Sequence, residues 1–288
     1  MTGSAAPRAH KHRRRKPLTL ALGYLALTVL ATMAIGPIIW AISGSFKSPG
    51  EVFVTPPQLI PSSFNLDNYA KVFEFIPLGR QLFNTLLYAA AVTTGQVFFC
   101  ALAGYAFARK KFYGRDKVFL AYLATLMVPA TVVIIPQFML MRSLGWVDTI
   151  AAMIIPGLFG NAFGTYLMRQ FFLSIPQELE EAARVDGANQ WQVYWRIMLP
   201  LARPALAVLT VLSMITVWND FLWPLVMIHN EDISTVTLGL LHLQGSYSTN
   251  FPVLMAASVM VILPPVIVYL FAQRAFVTGV AQAGLAGR

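Results

Sequence analysis

Long stretches without charge recur along the chain. Residues 18–46, 81–108, 118–141, 149–168 and 233–273 hold no Lys, Arg, Asp or Glu. A hydrocarbon core of about 30 Å is crossed by roughly 20 mostly apolar helical residues, and the sequence supplies that length several times. The pattern predicts an all-α membrane protein with six spans at about 18–42, 82–108, 118–140, 150–170, 204–228 and 252–273. The first apolar run exceeds the roughly 7–15 residues of a secretory signal core, so it reads as an uncleaved span. No gap between spans is long enough for a separate folded domain. The longest, 43–81, carries Pro49, Pro56, Pro57, Pro61 and Pro77 and reads as stiff and mostly non-helical. Asn65 to Phe73 within it has the pattern of a short amphipathic helix. Pro37, Pro129, Pro136, Pro156, Pro264 and Pro265 interrupt the spans and predict kinks. Asn84, Gln96 and Asn161 predict hydrogen bonds between helices.

Composition agrees with this pattern. Charged residues make up 11% of the 288 and the apolar set 57%, against roughly 25% charged in soluble domains; mean hydropathy is +0.63. The net charge of +9 raises nucleic acid as a partner, but the positions of the basic residues point elsewhere. Six of the 21 precede residue 17: Arg8, Lys11, Arg13, Arg14, Arg15 and Lys16. With the amino terminus inside, segments 1–17, 109–117, 169–203 and 274–288 hold 17 of the 21, and only Lys47, Lys71, Arg80 and Arg142 fall outside. The positive-inside rule therefore predicts both termini in the cytoplasm. Residues 1–17 read as a lipid-facing basic arm.

Catalytic chemistry finds little support. Cys100 is the single cysteine, which excludes an intramolecular disulfide and a cysteine metal site. No Gly-Lys dipeptide occurs, so no Walker loop is present. There is no His-Glu-x-x-His and no nucleophile–base pair, and His229 and His242 lack metal-ligand spacing. The sequence predicts no catalytic, cofactor or metal site in this chain.

Residues 173–204, between spans four and five, carry the most information. Ser174 with Gln177 has capping-box spacing, and Pro176 suits a first helical turn. Glu178, Glu180 and Glu181 place negative charge at the positive end of the helix dipole. Leu179, Ala182, Ala183 and Asp186 fall on one narrow face, and Gly187 supplies a left-handed end. Asn189 with Gln192 repeats the cap. Trp191, Tyr194, Trp195 and Met198 then share a face suited to a membrane interface. By pattern alone this is either a docking face or a capped surface connector. Asp220, the only carboxylate inside a proposed span, costs roughly 2.5–3.5 kcal/mol at a bilayer centre and must face protein or water. With Trp218, Asn219 and Trp223 it is either part of a polar-aromatic pathway or a carboxylate bonded at an interface or near the span's outer end.

Glu181-Ala182-Ala183, Gly187, Ile197 and Leu199-Pro200, with Asp186 and the downstream Pro204, resemble the EAA loop of ATP-binding-cassette (ABC) importer permeases. Ser45-Phe46-Lys47, Asn68-Tyr69, Asn84-Thr85, Trp218 to Pro224 and Gln273-Arg274 extend the resemblance to the carbohydrate (maltose-type) permeases. The tail from Gly279 to Gly287 departs from the family, with Ala286 where a lysine is common. The resemblance implies a type I importer permease core over 18–288 in a bacterial cell membrane, with a coupling loop over 174–204. In that reading Glu181, Ala182, Ala183, Asp186, Gly187, Ile197, Leu199 and Pro200 couple to an ATPase. It implies as partners a second permease, two ATP-binding subunits that hold ATP and Mg, an extracellular solute-binding protein and a sugar, with no nucleic acid. Glycerol-phosphate-like cargo belongs to the same permease type. An ion-coupled secondary transporter is the competing class, for which Asp220 is the one intramembrane carboxylate; an intramembrane enzyme is a third and lacks a catalytic set.

Overall fold

The computed structural model describes residues 17–245 and 250–285. The basic arm up to residue 16 and Ala286 of the divergent tail lie outside the described residues. Everything regular among the described residues is helical. In chain order the helices are α1 (Pro17–Ser45), α2 (Asp67–Phe75), α3 (Leu78–Arg109), α4 (Arg115–Ala124), α5 (Ala130–Ser143), α6 (Ile150–Leu158) and α7 (Ala162–Ser174). They continue with α8 (Glu178–Val185), α9 (Gln190–Val193), α10 (Leu199–Leu201), α11 (Arg203–Trp218), α12 (Leu222–Met227), α13 (Val236–His242) and α14 (Phe251–Leu285).

Four helical segments are long and apolar enough to cross a membrane: Ala21–Ser45, Leu78–Arg109, Ile150–Ser174 and Phe251–Phe271. Two more candidates are bent pairs. Arg115–Met127 meets Ala130–Ser143 at 99°, and Gln190–Leu201 meets Arg203–Trp218 at 73°. The expected third span, 118–140, is therefore not one straight helix. Val128 precedes a proline and is extended, with ψ at 116°, so helix cannot continue into Pro129 and restarts at Ala130. The expected fifth span, 204–228, also divides, because α11 stops at Trp218 and α12 begins only at Leu222. The fourth starts at Ile150 as expected but is interrupted around Gly160. Pro37, Pro136, Pro156, Pro264 and Pro265, by contrast, sit inside continuous helices.

α3 forms the centre, packed by α6, α7 and α11, while α14 joins α11, α1 and α2. The α3–α7 crossing depends on Gly104. A Cβ there would lie 2.7 Å from Met168 Cβ and 2.8 Å from the Arg169 amide nitrogen, so only glycine admits the approach. The predicted polar links between helices are present. Gln96 Nε2 donates to the Gly157 carbonyl at 3.2 Å, and Asn161 Nδ2 donates to Gln96 Oε1 at 3.2 Å. Asn84 instead ties α3 to the segment between α12 and α13, with Nδ2 donating to the carbonyls of Asp232 and Ser234 at 2.9 and 3.0 Å.

Two motif fragments that are distant in sequence meet beside α2. The buried Asn68 amide donates to the carbonyls of Ser45 and Lys47, both at 2.9 Å. Ser45 Oγ and the Tyr69 hydroxyl lie 2.8 Å apart. Lys47 is fully buried, with Nζ 4.4 Å from the Trp40 ring centroid and bonded to the Gln58 carbonyl.

Candidate functional site

The segment after α7 folds back through an extended residue. Ile175, held out of helix by Pro176, has ψ at 134°. The expected capping box at Ser174 and Gln177 does not form. Ser174 is still helical, and its hydroxyl donates back to the Phe171 carbonyl at 2.7 Å. Gln177 instead donates from Nε2 to Glu181 Oε1 at 3.0 Å.

α8 divides its face differently from the sequence expectation. Glu180 and Ala183 point into the bundle and are buried, whereas Leu179, Glu181, Ala182 and Asp186 are exposed. The helix ends in a Schellman motif: Gly187 N donates to the Arg184 carbonyl at 3.0 Å and Ala188 N to the Ala183 carbonyl at 2.9 Å. Gly187 has φ +84° with open space where a Cβ would stand, so its requirement is conformational. The second expected cap does form, with reciprocal bonds between Asn189 and Gln192.

A π-helical turn, Tyr194–Met198, follows α9. It splits the expected aromatic face. Tyr194 and Met198 are buried in a core with Met168, Phe172 and Ala183, while Trp191 and Trp195 are exposed. Ile197 and Leu199 pack on the same core, and Pro200 is partly buried at the start of α10.

The charges that root α8 escaped sequence reasoning. Glu180 Oε1 lies 3.1 Å from Arg109 Nε, and both side chains are nearly inaccessible, at 3% and 9% exposure. Arg109 also donates from Nη2 to the Phe172 carbonyl at 2.7 Å and to that of Ile175, so it closes the end of α7 as well. Glu180 Oε2 receives Arg184 Nη2 at 3.3 Å and the Tyr105 hydroxyl at 3.4 Å. Lys110 Nζ lies 5.1 Å from the Tyr105 ring centroid, and burial holds its ammonium below the usual lysine range. The available signal was Tyr105 and Arg109, four apart at the end of an apolar helix and thus on one face.

The structure brings together only part of the second expected cluster. Asp220 lies between α11 and α12; Oδ2 accepts from the Tyr88 hydroxyl at 2.8 Å and Oδ1 from the Trp223 amide at 3.4 Å. Trp223 Nε1 donates to the Ala152 carbonyl at 3.0 Å. Asp220 and Trp223 line a cleft of about 350 Å³ with Tyr88, Gln96, Gln137 and Thr216. Trp218 is instead buried in the core, and Asn219 is exposed, with Nδ2 donating to the Ile215 carbonyl at 2.8 Å. Among the described residues no three His, Cys, Asp or Glu side chains cluster to hold a metal.

Apolar helices around a central α3, with a short acidic helix held at one end, define a polytopic helical membrane protein. The model of the binding-protein-dependent transport system inner membrane component family matches residues 98–282, and the chain belongs to that family. It is 34% identical to an arabinooligosaccharide transport system permease of Halalkalibacterium halodurans, over 96% of this chain and 99% of that one. It is 32% identical to an sn-glycerol-3-phosphate permease of Rhizobium meliloti (93% and 98% covered) and to a lactose permease of Rhizobium radiobacter (93% and 96%). Among solved structures, a chain of a bacterial ABC transporter that imports the acidic polysaccharide alginate matches with a TM-score of 0.80. That match has 29% identity and covers 94% of this chain and 100% of the other.

Proposed function

We propose that this chain is one of two membrane subunits of an ATP-driven oligosaccharide importer, with six spans and both termini inside. α8 docks on a separate ATPase, which holds ATP and Mg, and an extracellular binding protein delivers the sugar. The observation that carries this reading is the division of α8. Glu180 and Ala183 are rooted in the bundle, while Glu181, Ala182 and Asp186 face outward for a partner. Glu181 supplies charge to that contact, Ala182 lets a backbone approach closely, and Gly187 fixes the turn. Ala183, Ile197, Leu199 and Pro200 hold the loop on the bundle beneath them. The cleft with Asp220 and Trp223 lies on the solute path, where a ring and a carboxylate suit sugar faces and hydroxyls. The bacterial inner membrane follows from the family.

The glycerol-phosphate relative favours a second cargo reading, the same permease type carrying a phosphorylated polyol. Purification through this chain in mild detergent tests the assembly. The expected result is co-purification of an ATPase, a second permease and, on nucleotide trapping, a binding protein, with loss of the ATPase in Glu181→Lys. Transport by this chain alone, driven by an ion gradient, would overturn the reading. Ligand screening of the recovered binding protein separates sugar from glycerol phosphate.

A further inference from the structure

Besides the packing of Ala183 into the core, the short acidic helix has two ways of being fixed to the rest of the chain. One is its backbone, which enters through the extended Ile175-Pro176 and leaves through the left-handed Gly187. The other is the buried contact between Glu180 in the first turn of α8 and Arg109 in the last turn of α3. The geometry points to Glu180 as the positioning residue that ties α8 to α3, so that movement of the docked helix passes into the central span through a charge pair.

Four observations carry this. The pair is desolvated on both sides, so loss of Glu180 leaves Arg109 as a buried charge without its carboxylate. Glu180 also receives Arg184 and the Tyr105 hydroxyl, with Lys110 Nζ over the Tyr105 ring, so one anion holds two further donors. Arg109 Nη2 donates to the Phe172 and Ile175 carbonyls that end α7. A single guanidinium thus gathers α3, α7 and α8 at one point, and planar, multidentate Arg suits that task where Lys does not. Finally, the outward residues Glu181 and Ala182 take no part in this contact. The anchor and the docking face are separate sets of side chains on one eight-residue helix.

The role of Glu180 rests on the docking proposed above, and the two fail differently. The test uses the importer complex purified through this chain, in nanodiscs, with Cys100→Ala and spin labels at the exposed Val185 and Leu86. In the otherwise unaltered chain, the distance between the α8 label and the α3 label stays the same with and without ATP–vanadate. In Glu180→Gln the ATPase still co-purifies, but that distance shifts on nucleotide trapping. Stimulation of ATP hydrolysis by the binding protein is lost while the basal rate remains. A role confined to fold stability would lower assembly and both rates together. The double variant Arg109→Gln/Glu180→Gln removes both members of the pair and gives the same result if the single variant folds poorly. Fixed label distance and full stimulation in an assembled variant overturn the role of Glu180. So does a folded, monodisperse double variant that no longer binds the ATPase, because anchor and docking would then be one function. Retention of the ATPase by Glu181→Lys instead counts against the docking surface itself.

Discussion

Asn189 and Gln192 hold each other's backbone: Asn189 Oδ1 accepts from the Gln192 amide at 2.9 Å, and Gln192 Oε1 accepts from the Asn189 amide at 2.8 Å. Two donors at the start of α9 that helix geometry leaves unpaired are satisfied at once. Asn189 also follows the Schellman turn of α8 directly, so this pair sets where the chain turns back toward the membrane. Replacing Asn189 by Ala removes one bond and frees the other side chain, at a cost of about 1 kcal/mol. The expected outcome is a lower thermal midpoint in detergent, faster amide exchange over 189–194, and recovery of most of the loss in Asn189→Asp. Unchanged exchange in the alanine variant would show that the π-turn, and not the cap, orders this segment.

The same cap signature was legible in two places and held in one. Asn189 is extended, with φ −76° and ψ 169°, and can turn its side chain onto the following amides. Ser174 is the last residue of α7, where a hydroxyl reaches its own preceding carbonyl first. Sequence spacing carries no record of that backbone state. Apolar length located the long helices well, because burial of a span is a sum over some twenty residues. It failed where one residue decides, as at Val128 before Pro129 or at the stop after Trp218. The inward turn of Glu180 was hidden for a further reason. Its partner Arg109 is 71 positions away in sequence, and in a list of charges it counts simply as one of several basic residues near the end of a span. The outward Glu181 was legible because the EAA spacing singles it out, whereas Glu180 has no marker of its own.

Gly187 offers a clean separation of strain from crowding. Its φ of +84° disfavours any residue with a Cβ, yet nothing stands within 4 Å of that atom's place. Gly187→Ala therefore costs about 1–2 kcal/mol through the left-handed backbone alone. Gly187→Asn, whose side chain tolerates that region, costs less. The order Gly above Asn above Ala in thermal stability is expected, with Val lowest. Equal loss for Asn and Ala would mean that the position is crowded by a partner in the assembly.

Gly104 predicts the opposite pattern, since its backbone angle is ordinary and its space is absent. An added methyl meets Met168 Cβ at 2.7 Å and the Arg169 amide nitrogen at 2.8 Å, and the backbone atom cannot move aside alone. Gly104→Ala must part α3 from α7, at an overpacking cost of about 1–3 kcal/mol, and Gly104→Leu should abolish recovery of folded protein. Gly104→Ala combined with Met168→Gly, which removes the Cβ that the new methyl meets, should recover part of the loss measured against Met168→Gly alone. The remainder measures the clash with the Arg169 backbone. Full recovery would place the whole constraint on the Met168 side chain.

Asp148 supplies the pH dependence. It is a non-glycine residue at φ +64°, and its Oδ1 accepts from the amides of Asn230 at 2.7 Å and His229 at 2.9 Å. Its own amide donates to the Met227 carbonyl at 2.8 Å, so the turn before α6 is clipped to the end of α12. The Asn230 amide first, then that of His229, holds the carboxyl below the usual aspartate range. A carboxylate with a lowered folded value adds stability that is complete above the ordinary aspartate value of about 3.9 and is lost as pH falls through the folded value. Exchange protection of the 229 and 230 amides, corrected for intrinsic rate, is therefore flat from neutrality to about pH 4 and declines below it. Asp148→Asn keeps an acceptor and tolerates the left-handed backbone but cannot titrate, so it should show weaker protection and no decline over that range. The same decline in Asp148→Asn would assign it to another group.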